Sequence, residues 1–235
     1  MSMNRIWKPL LVLPLLLILT ACETEEDRQI SGAQDCIDAA KDEADADRCF
    51  AMVNGNNSEK AYLIRCSASY IAQGFTGNRF ADAFQKLKDG DSTGQDPMAT
   101  AMAYLVFAKN LPKHTAETTL ENCKKSGVRS LVRLATMSSL STYIAQTVGG
   151  PIPDPMDPNF DPSQYQAAID TLANAGTEEQ QKTVGGIAIQ AHEAYCNEGS
   201  SFESNEICQH LNSALATGGG DRAAIGQQLL ALLKN

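Results

Sequence analysis

Histidine, aromatic and basic residues are all scarce in this chain of 235 residues, and each scarcity excludes something. Only His114, His192 and His210 could serve as a histidine general base near neutral pH. Aromatics make up 6% of the sequence, too few for a stacking platform that would hold a carbohydrate. Nineteen Lys and Arg face twenty-eight Asp and Glu, a net charge of −9, so no general basic surface is available for nucleic acid. Gly-x-Ser-x-Gly, a phosphate-binding glycine loop and paired carboxylates beside histidine are missing too. No enzyme activity, catalytic residue, cofactor or metal is therefore expected.

Alternating strand patterns are lacking as well, whereas helical periodicity recurs, so the expected fold is all-α: a multi-helix bundle or short stacked helical hairpins. With 43% apolar and 20% charged residues the chain has the material for a folded core. Residues 58–73 set Ala61, Ile64, Ala68, Ile71 and Ala72 on one face, between Ser58 as N-cap and Gly74 as stop. Residues 97–109 begin with Asp96 as cap and Pro97 at the first helical position. Thr177 and Gln180 form a capping box before a helix over 177–196. Further helices are expected at 34–53, 78–89, 127–148, 163–175, 204–216 and 221–234. Gly185-Gly186 falls inside the 177–196 helix, so either the helix breaks there or, the favoured reading, another backbone packs closely against it.

The N-terminus carries a different signal. Arg5 and Lys8 precede an apolar run from Pro9 to Ile18, about a dozen residues where a membrane span needs roughly twenty. Leu19-Thr20-Ala21-Cys22 follows. This stretch resembles the bacterial lipoprotein signal, with all four lipobox positions matched. The resemblance implies that residues 1–21 are a leader cut before Cys22, that Cys22 carries a diacylglyceryl group, and that its new amino group usually gains a third, palmitate-type chain. It also implies a cell-envelope location, with the membrane as one partner. Glu23 rather than Asp after the cysteine leans toward the outer membrane over the inner one. Residues 22–33 are expected to form a short acidic tether.

With Cys22 assigned to lipid, six cysteines remain in an oxidising compartment, the setting for three disulfides. Cys36 with Cys49 and Cys196 with Cys208 close short loops between helical segments, and elimination leaves Cys66 with Cys123. A zinc site built from His192, Cys196, Cys208 and His210 competes at the C-terminal pair. His192-Glu193 opens a metalloprotease pattern that fails, because Cys196 stands where its second histidine belongs.

Residues 149–162 hold five of the nine prolines and are expected to link an N-terminal helical domain, 34–148, to a C-terminal subdomain, 163–235. The segment could also be a binding loop or a proline-rich ligand for a partner, but the linker reading is favoured because it needs no further coincidence. Ser69-Tyr70-Ile71-Ala72-Gln73 is echoed by Thr142-Tyr143-Ile144-Ala145-Gln146. Tyr70 with Asn78, Phe80, Ala83 and Leu87 faintly resembles a tetratricopeptide hairpin, but the Trp-Leu-Gly start is missing. Asp89, Asp91, Thr93 and Gly94 open like an EF-hand loop, yet Thr100 replaces its closing Glu; Asp157, Asn159, Asp161 and Ser163 alternate similarly, with Ala168 at the end. Asp38, Asp42 and Asp45 fall on one face of the expected 34–53 helix, which must be solvated or meet a basic partner. His114 is expected at the surface. The expected function is a lipid-anchored envelope protein acting as a helical protein-binding or scaffold module; the alternative is a lipoprotein that binds a small ligand or divalent cation.

Overall fold

The computed structural model describes residues 24–75, 96–147, 154–155, 157, 160–196 and 206–234. These residues form ten helices and no strand: α1 (Glu25–Ala39), α2 (Glu43–Met52), α3 (Glu59–Ala72), α4 (Pro97–Ala103), α5 (Ala116–Lys125), α6 (Arg129–Thr147), α7 (Ser163–Ala175), α8 (Glu178–Tyr195), α9 (Glu206–Gly218) and α10 (Arg222–Leu233). The expected helix at 78–89, the Asp89–Gly94 loop, the lipobox with Cys22 and most of 149–162 lie outside the described residues.

The helix starts follow from side-chain chemistry. Thr24, Asp42, Ser58, Asp96, Thr115, Thr177 and Asp221 each accept a bond from an otherwise unpaired first-turn N–H. Each such cap contributes about 1 kcal/mol. Gly74, at φ +85°, ends α3 as expected.

Four expectations need correction. The acidic tether is largely helix: Thr24 and Asp27 cap each other's backbone, Glu25, Glu26 and Asp27 suit the positive end of the helix dipole, and Ala33 and Ile37 are buried. The helix expected over 34–53 is two helices, broken at 40–42, where Asp42 turns from helix interior to N-cap of α2. The helix expected over 97–109 stops at Ala103, and an irregular strap, 104–115, runs on to α5, which the periodicity did not reveal. Finally, the core does not divide at the proline-rich segment. Met98, Met102, Met137, Leu140 and Ile144 share one buried cluster with Tyr165, Ile169, Val184, Leu211, Leu229 and Leu233. The apolar face of α6 needs this cover, and Phe160 folds back at 5.2 Å from Tyr104 to join it.

Two smaller clusters complete the interior. One gathers α1, α2 and α3 around Ala33, Ile37, Ala46, Val53 and Ile64. The other joins α3, the strap, α5 and α6 through Tyr70, Phe75, Phe107, Leu120 and Ala135. Three disulfides, Cys36–Cys49, Cys66–Cys123 and Cys196–Cys208, fall one to each cluster. The two local pairs tie neighbouring helices, and Cys66–Cys123 spans 57 positions to lock α3 against α5.

Candidate functional site

The richest polar cluster surrounds the strap. Its last residue but one, His114, is 2% exposed, not at the surface as expected. The ring lies against Phe50 at 5.2 Å, edge to face. Its Nδ1 is 3.0 Å from Ser69 Oγ on α3, and its Nε2 is 3.1 Å from Asp47 Oδ1 on α2. Because Asp47 is a carboxylate, Nε2 carries the proton and donates to it. The neutral ring then accepts the Ser69 hydroxyl proton at Nδ1, while the protonated ring donates to Ser69 instead.

Serine, histidine and aspartate in line are also the parts of an acyl-transfer triad. Here the serine is sealed. Ser69 is fully buried, its hydroxyl lies 3.0 Å from Arg65 O one helical turn back, and it does not line the adjoining cavity. In this conformation the three residues fasten the strap to the α2–α3 hairpin. Lys113 adds an exposed contact to Asp47 at 3.6 Å.

The echoed pentapeptides grip the same strap from both sides. Gln73 donates from Nε2 to Lys109 O and His114 O, and its Oε1 accepts from Lys109 N–H. Thr142, the counterpart of Ser69 in the echo, accepts at Oγ1 from Phe107 N–H at 2.9 Å. Between the two helix ends lies a cavity of about 240 Å³ whose lining includes Gln73, Lys109, Asn110, Thr142 and Gln146. Lys109 Nζ donates to Ala72 O, whereas Asn110 and Gln146 sit on the exposed rim. A small ligand meeting this cavity would find amides, one ammonium and a phenyl edge.

At the C-terminal cysteines, Cys196 and Cys208 spend their sulfurs on each other. Neither thiolate is then left for the competing four-ligand zinc set. His192 Nε2 is 2.7 Å from Asn212 Oδ1, and His210 Nε2 stands 4.0 Å from Asp96 Oδ2, the N-cap of α4. Thr100, in the twelfth position of the Asp89 loop, sits inside α4, and Ala168 is buried in α7. Among the described residues no group of three or more His, Cys, Asp and Glu converges as metal ligands would.

The remaining charged feature is the tip of the α1–α2 hairpin. Asp38 and Asp42 no longer share a helix face, since one ends α1 and the other caps α2, but the hairpin turn still brings them to one end. Asp35, Asp38, Asp42, Glu43, Asp45 and Asp47 all lie within 35–47, with Lys41 the single cation there. The last turn of α1 has no basic residue to meet its negative end. Asp45 is held below the usual carboxylate range by the Lys41 N–H and by Arg48. Asp35 and Glu43 extend the charge. No known family, curated protein or solved structure matches this chain.

Proposed function

We propose that this chain is a lipid-anchored protein of the cell envelope, held by acyl chains on Cys22, that works as a helical protein-binding module. The observation that carries the binding role is the acidic tip: Asp38, Asp42 and Glu43, flanked by Asp35 and Asp45, at one end of a hairpin whose two helices are locked together by Cys36–Cys49. A rigid concentration of one charge sign accelerates encounter with a partner of the opposite sign and fixes its orientation. The partner is therefore a basic protein surface. The lipobox resemblance supports the anchor, and the three disulfides agree with an oxidising compartment. Glu23 favours the outer membrane. No part of the reading needs a reaction, so the protein is not proposed as an enzyme.

In-cell crosslinking with mass spectrometry tests it, comparing the wild type with Asp38→Asn, Asp42→Asn, Glu43→Gln in one variant. A neighbour recovered with the wild type and lost with the variant supports the role. Identical neighbour sets, or none, refute it.

A second reading rests on the cavity between Gln73 and Gln146, which would hold a small polar molecule. Native mass spectrometry of protein from its own cells would then show a low-mass adduct that Gln146→Trp, filling the rim, abolishes. Absence of such an adduct removes this reading.

A further inference from the structure

The acidic tip has an opposite end, and its chemistry differs. Thr24, the N-cap of α1, follows Cys22 by two residues, which can span at most about 7 Å. Any lipid on Cys22 therefore brings the first turn of α1 to the membrane surface. Alongside that turn runs the end of α2. Gln29 Nε2 donates to Met52 O at 2.6 Å, and a Cβ placed on Gly32 would stand 3.4 Å from Met52 Cε. The α2–α3 turn completes the surface, forming an open concavity with Glu26, Gln29, Asn54, Asn56 and Asn57.

Two features of this end fit a lipid surface. Met52, at 36%, is the one large hydrophobic side chain exposed among the described residues, and its carbonyl is held by Gln29 in the second turn of α1. The turn after it, Asn54-Gly55-Asn56-Asn57-Ser58, bears no charge in a chain with a net charge of −9. An apolar side chain followed by a turn rich in amides suits the boundary between headgroups and acyl chains, where the first is drawn inward and the second can bond to phosphate and ester oxygens. Two of the nearby acids have cations close by, Glu25 with Arg28 at 3.2 Å and Asp27 with Lys60, while Glu26 lines the concavity and Glu59 opens α3. The acidic tip is about 22 Å away along the 15 residues of α1.

We infer that the Met52–Asn57 turn is a second membrane contact, resting on the lipid headgroup layer next to the acylated Cys22, so that the α1–α2 hairpin stands with its acidic tip away from the bilayer. This inference rests on the lipid-anchor reading. It turns a loose tether into an oriented mount, with the partner-binding end presented outward.

Trp7, the single tryptophan of the sequence, lies in the leader, so Met52→Trp gives the mature protein a unique fluorophore. The full chain is expressed with its own leader, purified in detergent and reconstituted in phosphatidylcholine vesicles. Intact mass must first show acylation at Cys22; an unacylated product overturns the anchor reading itself. With acylation present, the fluorophore at position 52 is expected to shift to shorter wavelength. Lipids brominated near the top of the acyl chain should quench it at least twofold. Lys41→Trp at the tip is expected to show neither effect. Equal quenching at the two positions, or none at 52, overturns the docking while leaving the anchor intact. Hydrogen exchange of residues 54–57 in the unsubstituted acylated protein reads the same contact without an added ring. Slowing on vesicles at 54–57 but not at 38–43 supports it, and unchanged rates at 54–57 overturn it.

Discussion

Gly185 of α8 and Gly226 of α10 meet backbone to backbone. A Cβ on Gly185 would stand 1.9 Å from Arg222 O and 2.9 Å from Gly226 N, and one on Gly226 would stand 2.0 Å from Gln181 O. Neither neighbour is a flexible side-chain end, so the two helices would have to separate. Gly186, the next residue, has only Arg222 Cδ near, at 4.0 Å. Gly185→Ala is therefore expected to cost about 3 kcal/mol or more by overpacking. Gly186→Ala is expected to stabilise by about 0.5–1 kcal/mol through the lost flexibility of the unfolded chain. Denaturant melts of the two single variants check this, and equal effects would show that the helices do not cross at Gly185.

His114 sets a second expectation. His114→Ala removes a buried ring together with its bonds to Ser69 and Asp47, and should cost about 3 kcal/mol. Ser69→Ala removes one hydroxyl with two alternative partners and should cost about 1 kcal/mol. Beyond the magnitudes, hydrogen exchange should speed up along 104–115 in the His114 variant before it does in α8 or α10. Uniform loss of protection would mean that the ring supports the whole fold and not the strap.

These two clusters also show what a sequence carries and what it hides. The glycine pair is visible because two glycines inside a helical period demand a reason, although only the contact with Gly226 reveals which of them is packed. The caps at Ser58, Asp96 and Thr177 are visible because a cap and its first turn lie within three residues. Ser69, His114 and Asp47 are separated by 45 and 67 positions along the two bonds and sit on three elements, so no local motif contains them. Asp38, Asp42 and Asp45 mislead for a related reason. The break between α1 and α2 has neither Gly nor Pro to mark it, and Asp42 reads as well at a helix interior as at an N-cap. The acids after Cys22 look like a solvated tether until Thr24 and Asp27 are seen as a reciprocal cap.

The disulfides should differ in what they contribute. Cys66–Cys123 closes a loop of 57 positions, against 13 and 12 for the other two. The chain-entropy estimate is about 4 kcal/mol for the long loop and about 3 kcal/mol for each short one. Replacing each pair by serine and comparing urea midpoints tests the order. The Cys66/Cys123 variant is expected to melt first, and it should also free α3 from α5, which the other two variants leave joined.

Alkaline pH gives the last expectation. Burial holds the phenols of Tyr70, Tyr165 and Tyr195 above the ordinary tyrosine range, with Ser138 partly offsetting this for Tyr70. Above about pH 10 the unfolded chain releases these protons while the folded chain keeps them. The unfolded state then binds fewer protons, so stability is complete below that pH and falls as pH rises toward the folded values. Each tyrosine contributes a slope of about 1.4 kcal/mol per pH unit in that window. Tyr165 is the cleanest probe: it is fully buried, and its hydroxyl faces Ser141 without an aligned bond. Tyr165→Phe should leave stability at pH 7 unchanged or slightly raised, because it deletes an unpartnered polar group. Between pH 10 and 12 its stability should fall less steeply than that of the wild type by the share of one phenol. Parallel alkaline curves for the two proteins would mean that the Tyr165 hydroxyl reaches solvent.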